Sequence, residues 1–358
     1  MQRLILTALL ASLGAPSLQA GDWCYQSQFS CDHQCNVPDK WTNANSVCGG
    51  SYQSPINVVT KKAVKDSRLT AFQFDNYQQI FRGTIKNNGH SVQVDVPHLS
   101  IISGGGLTTS YKAVQFHLHW GSNGGPGSEH TIDGEQYPME LHIVHMKHHY
   151  TDLTTALADP EGVAVLGFFY ERSNSANRKY EPLVNSLRSV KAADGNASLQ
   201  PISLAQLIPP EKNLTSFYRY KGSLTTPGCT ESVVWTLFES PIPLSAGQLR
   251  AFSELQFHDG KPMVGDLQAG AAPQRPAGVS LRGRRRPDQQ RRLPCGRRSG
   301  GFRPVSALLG CTIALLHPKN SASLHSTTLV CSIPVHGCRG DCVLGRSPVP
   351  HGLPLQHK

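Results

Sequence analysis

The run Gln115-Phe116-His117-Leu118-His119-Trp120 offers two imidazoles at a spacing of two. On a β-strand, residues two apart share a face. His117 and His119 therefore point one way with Gln115, and Phe116, Leu118 and Trp120 point the other. Two imidazoles about 7 Å apart along one pleated face can converge on one metal ion. A second run, Glu140-Leu141-His142-Ile143-Val144-His145, has the same period and places Glu140, His142 and Val144 on one face. If the two strands pair, three histidines meet, and three neutral nitrogens with one open position make the arrangement of a catalytic zinc site. Gln115 and Glu140 each stand two residues before a ligand on the ligand face, where each can accept the remaining ring N–H of a histidine. A lone His-x-His pair on a strand is commonly just polar surface. The metal reading rests on two such strands, each with an upstream acceptor and an apolar back. The neighbouring His145, His148 and His149 have a mixed register and read as solvated surface.

Strands must position these residues, and the chain from Trp23 to about Gly265 has the texture of a β-rich domain. Short alternating runs at 91–96, 114–120, 139–145 and 163–170 are separated by Gly, Asn, Asp and Ser clusters. Helical pattern is sparse, with 153–159 and 243–255 as the best stretches. With no internal repeat and no long linker, one domain of about 240 residues is the economical reading.

The charge is unevenly spread along the 358 residues. Of 34 basic and 24 acidic residues, 14 and 3 fall in 266–358, leaving 20 and 21 in the first 265. The net charge of +10 therefore belongs to a tail rich in Arg, Pro and Gly that has little to bury. A nucleic-acid partner would have to bind that tail alone. The tail's only aromatic is Phe302, far fewer than such binding favours, so no nucleic-acid partner is expected. Its longest apolar run, 305–316, is twelve residues and too short to span a membrane.

At the other end, Arg3, the apolar run 4–13, helix-breaking Gly14 and Pro16, and Ala20 have the shape of a secretory signal peptide over 1–20. Export predicts oxidised cysteines, and the body holds five: Cys24, Cys31, Cys35, Cys48 and Cys229. Two N-glycosylation triplets, at Asn196 and Asn213, fit an exported glycoprotein.

Seven motifs then carry a resemblance. HLHW at 117–120, GSEHTIDG at 127–134, MELHIVH at 139–145, GSLTTPGC at 222–229, VVWTLF at 233–238, QSPINV at 53–58 and NNGH at 87–90 resemble the α-class carbonic anhydrases in order and spacing over 22–265. The signal peptide and the cysteine positions are similar to those of the membrane-anchored, extracellular type IV branch. The resemblance implies a mainly β (α+β) single domain of 21–265, with a large twisted, mostly antiparallel central sheet and short peripheral helices. It implies Zn2+ on His117, His119 and His142, and reversible hydration of carbon dioxide to bicarbonate and a proton.

By the same resemblance, Thr225 receives the hydroxide's proton in a hydrogen bond and donates its own to Glu129. His90 shuttles the released proton, with Asn88 and Tyr25 ordering the intervening water. Val144, Val165, Leu224, Val233 and Trp235 form the apolar wall for carbon dioxide, with Thr226 at its polar edge. Gln115 and Glu140 support the ligands, and His130 is structural. The implied disulfides are Cys24–Cys35 and Cys48–Cys229, leaving Cys31 free or bonded to the tail. A monomer outside the cell is expected.

The chain departs from the family after PMVG (262–265), where DLQAGAAPQRPAGVSL (266–281) replaces a segment of the type NFRPVQPLNGRQVYRS. Back-translated and shifted by one base, Leu267 to Arg282 spells FRPVQPLNGRQVYRS. We therefore read 266–358 as an out-of-frame, disordered tail, with a membrane anchor expected only in a correct-frame product. The family's segment supplies a backbone carbonyl to the second zinc histidine, here His119. Losing such a partner typically costs about 10–100-fold in metal affinity or activity, which leaves an impaired or silent binding domain as the alternative.

Overall fold

Alternating side chains let Met139–Lys147 and its neighbours pack on both faces, and strand pairing joins them into one sheet. The computed structural model describes residues 23–29, 35–268 and 280–281, all within the unit Met1–Arg284. The signal peptide, Cys31 and the tail outside these ranges lie beyond the described residues.

Twelve strands make the sheet: β1 (Val64–Lys65), β2 (Phe72–Asp75), β3 (Thr84–Asn87), β4 (Val92–Asp95), β5 (Ile101–Gly104), β6 (Tyr111–Trp120), β7 (Met139–Lys147), β8 (Val163–Ser173), β9 (Asn196–Ser198), β10 (Phe217–Gly222), β11 (Val233–Ser245) and β12 (Ser280–Leu281). Their order is β9-β3-β4-β6-β7-β8-β11-β10-β12-β1, with β5 joining β2 to β6. Most pairs are antiparallel. β8 with β11 and β12 with β1 are parallel. The mainly β fold with short peripheral helices matches the expectation from sequence.

The alternation fixes what each face holds. Phe116, Leu118, Trp120, Leu141 and Ile143 are buried in the larger apolar core behind the sheet. Val144, Val165, Val233, Trp235 and Leu237 form a second buried cluster. Burying each such side chain stabilises the fold by about 1.5–3 kcal/mol.

Two sequence expectations need correcting. The stretch 243–255 is helical only over Ala246–Phe252, because Pro243 to Ser245 end β11 in register with β8, at Glu171↔Pro243 and Ser173↔Ser245. Ser245 then caps the helix, accepting from the Gln248 N–H. His145 is not solvated. It is buried, its Nε2 is 2.6 Å from the Tyr77 hydroxyl, and a register shift in the β7–β6 pairing falls between Val144 and His145.

Candidate metal centre

β6 and β7 run antiparallel with His142 opposite His117 and Glu140 opposite His119. Cross-strand neighbours stand about 4.5–5.5 Å apart, so this register alone brings three imidazoles together. One nitrogen from each of His117, His119 and His142 lies within 4.8 Å of the others. The outward nitrogen of each ring has its own acceptor. His117 Nδ1 is 2.9 Å from Gln115 Oε1, and His142 Nε2 is 2.7 Å from Glu140 Oε1. His119 Nδ1 is 2.6 Å from the backbone carbonyl of Asp266. The inward nitrogens face one another, with His142 Nδ1 3.3 Å from His117 Nε2, and His119 Nε2 is buried with no hydrogen-bond partner. Burial, the leading cause for all three, keeps the rings neutral, pushing the His119 pKa down to about 3. Neutral imidazoles with oriented outer N–H groups fit a zinc ion.

A second cluster, His130 with Glu140 and His142, is also compact enough for a metal. Its atoms are already committed to one another. His130 Nδ1 lies 2.7 Å from Glu140 Oε1, and its backbone N–H donates to Glu140 Oε2 at 2.9 Å. His130 Nε2 meets the Tyr220 hydroxyl, which donates to Ser54 Oγ. Burial pushes the Glu140 carboxyl up, but His130 and His142 outweigh it and hold the group well below the usual range. This chain of bonds braces His142 from behind. Tyr220 and Ser54 were not singled out from sequence, since neither sits in a pattern with a ligand.

Asp266 overturns the expectation that the altered C-terminal segment deprives His119 of its acceptor. The acceptor is a backbone carbonyl, so a change of side chain leaves it in place. Asp266 Oδ1 also accepts the Trp120 N–H at 2.8 Å, locking the residue against β6. Two residues on, the Gln268 N–H donates to Glu129 Oε1 at 2.9 Å. Turned to satisfy its neighbours, the Gln268 side-chain amide donates to the carbonyls of Ser54 and Thr225, at 3.0 and 3.2 Å. Nothing in the local sequence marks Asp266 or Gln268, because their roles come from residues nearly 150 positions away.

Glu129 Oε2 stands 3.4 Å from His119 Nε2 with no hydrogen-bond partner of its own. Its carboxyl is pushed well up by burial, with the Gln268 N–H and the Thr225 side chain pulling it back. Glu129 is carried by a turn that only glycine permits, since a Cβ on Gly127 would sit 1.8 Å from the Gly121 nitrogen.

Thr225 lies in the turn after β10. Gln53 Nε2 donates to the Cys229 carbonyl at 3.1 Å, and the Ser54 N–H donates to Ser223 Oγ at 2.9 Å. Cys48 is bonded to Cys229, and Cys24 to Cys35. The Trp235 ring, whose N–H donates to the Ser223 carbonyl, meets the His142 ring edge-on at 4.8 Å. Val144, Val165 and Val233 are buried with it and Leu224 packs against them, while Thr226 is half-buried beyond.

His90 stacks on Trp23 with ring centroids 4.0 Å apart, and Tyr25 lies edge-on at 6.2 Å. Asn88 Oδ1 accepts the backbone N–H groups of His90 and Ser91, so this oxygen shapes the turn. Burial first, and the charge of His258 second, lower the His90 pKa to about 4.

Comparison with known proteins agrees with this geometry. The family model for eukaryotic-type carbonic anhydrase matches residues 36–276. A rabbit (Oryctolagus cuniculus) protein named carbonic anhydrase 4 is 43% identical over 258 residues, covering 71% of this chain and 82% of the relative. Its namesake from Rattus norvegicus is 37% identical over 277 residues, covering 77% and 88%. The mitochondrial carbonic anhydrase 5A of Homo sapiens is 36% identical over 260 residues, covering 71% and 83%. Through the matched span and the three converging histidines, this chain belongs to the eukaryotic-type carbonic anhydrases, a family of carbon dioxide-hydrating enzymes.

Proposed function

We propose that this chain is an exported, monomeric zinc enzyme that interconverts carbon dioxide and bicarbonate, using His117, His119 and His142 as ligands. The observation that carries the reading is the set of three buried imidazoles, each with its outward nitrogen held by an acceptor, at Gln115, Asp266 and Glu140. When bound, zinc supplies a water whose pKa is lowered to about 7, and hence hydroxide at neutral pH.

The chain's own groups do the rest. Glu129 accepts the Thr225 hydroxyl proton in a hydrogen bond, which turns the Thr225 oxygen toward the attacking O–H as acceptor. The attacking lone pair then faces the carbon. Gln268 fixes Glu129 from the other side. Carbon dioxide is apolar, and Val144, Val165, Leu224, Val233 and Trp235 give it an apolar wall without displacing the polar relay. Thr226 contacts the bicarbonate edge. His90 carries the surplus proton outward, with Tyr25 at the passage and Asn88 holding the turn. Export is supported by the signal-like leader and by the two disulfides.

The test is zinc content and carbon dioxide hydration for the parent and for His117→Ala. The parent should bind one zinc and turn over, and the variant should lose both. A parent that hydrates carbon dioxide equally well after zinc is stripped would overturn the reading.

A further inference from the structure

Resting on the reading of His90 as proton carrier, we propose that His258 is the next acceptor, forming with His90 a two-imidazole relay from the cleft wall to solvent. The two ring centroids are 5.8 Å apart, with the rings at 70°, a separation one water can bridge. Gly89 makes this approach possible. It has a positive φ of 79°, and a Cβ there would lie 1.9 Å from His258 Nε2, so the outer imidazole rests directly on the turn that carries His90. The exposure rises along the path. His90 is half-buried and its Nδ1 has no hydrogen-bond partner, whereas the His258 side chain is 35% exposed.

The groups facing the pair support outward transfer. Trp23 and Tyr25 enclose His90 and give a positive charge no carboxylate partner. His258 Nδ1 instead lies 3.6 Å from the Asp194 carboxylate, which is itself largely exposed. Burial first, and the charge of His258 second, lower the His90 pKa to about 4, so the two rings are electrostatically coupled. In the step, a His90 N–H bond breaks and an N–H bond forms on neutral His258. The cation then gives its proton to a buffer base, leaving both rings neutral.

His258 is neither one of the three converging histidines nor part of the apolar wall, so its removal should slow proton export alone. In weak buffer, His258→Ala should lower kcat roughly 3- to 10-fold, with kcat/KM for carbon dioxide held. Added imidazole buffer should restore kcat. Proton NMR of the ring C–H signals should show His90 titrating at higher pH in His258→Ala, because a like charge is gone. An unchanged kcat in weak buffer, a loss that buffer does not restore, or an unmoved His90 titration would each overturn the relay. A zinc-loaded parent with no hydration activity would instead overturn the functional reading, and the His90 titration would still decide whether the two rings are coupled.

Discussion

At the scale of residues, the centre separates roles that a single histidine-rich sequence blurs. His117, His119 and His142 are kept neutral by burial and aimed by three different acceptors, whereas His130 spends both ring nitrogens on Glu140 and Tyr220. In the proposed reaction Glu129 gives the relay its direction. Glu129→Gln keeps the shape but adds an N–H facing His119, so kcat/KM should fall about 10–100-fold. Zinc content should stay near one per chain, checked by metal analysis beside stopped-flow hydration. His145 makes a different prediction. Burial lowers its pKa to about 4 against an ordinary value of 6.5, so the unfolded chain binds the extra proton between those values. Stability from this group is therefore complete above pH 6.5 and declines as pH falls toward 4, by roughly 3 kcal/mol. Urea unfolding at pH 7.5 and pH 5 should show the loss, and His145→Gln should show a smaller one.

At the scale of elements, the register of β6 against β7 is the decisive feature. A slip of one residue would turn His117 and His119 into the core and Phe116 and Leu118 into the cleft. The segment 266–268 is the other decisive element, because it closes both His119 and Glu129 with backbone groups. Deleting Asp266 to Gln268 from the full chain should weaken zinc binding about 10–100-fold in competition with a chromophoric chelator. Asp266→Ala should cost much less affinity, since the carbonyl remains. The helix Ala246–Phe252 shows how an element's type yields to tertiary pairing: the upstream Pro243, Leu244 and Ser245 continue the helical pattern in sequence, yet β8 draws them into a strand.

At the scale of the whole molecule, the C-terminal segment contributes through its backbone, at Asp266 and Gln268 to the site and at Ser280 and Leu281 to the sheet. Ser280 and Leu281 pair with Arg219 and Tyr218 in β10. Hydration by the chain as written and by a version restored to FRPVQPL should therefore be measurable in both, with the restored chain unfolding at higher urea concentration. Activity confined to the restored chain would mean that the closing strand's side chains are required. The sequence by itself determined the strand-rich class, the shared face of Gln115, His117 and His119 and that of Glu140 and His142, because period-two alternation converts spacing directly into a shared face. It could not reveal Asp266, Gln268, the Tyr220–Ser54 brace, the burial of His145 or the approach of His258 to His90. Those depend on contacts between residues tens to hundreds of positions apart, made largely through backbone groups and close approaches that leave no local pattern, and only the tertiary structure decided them.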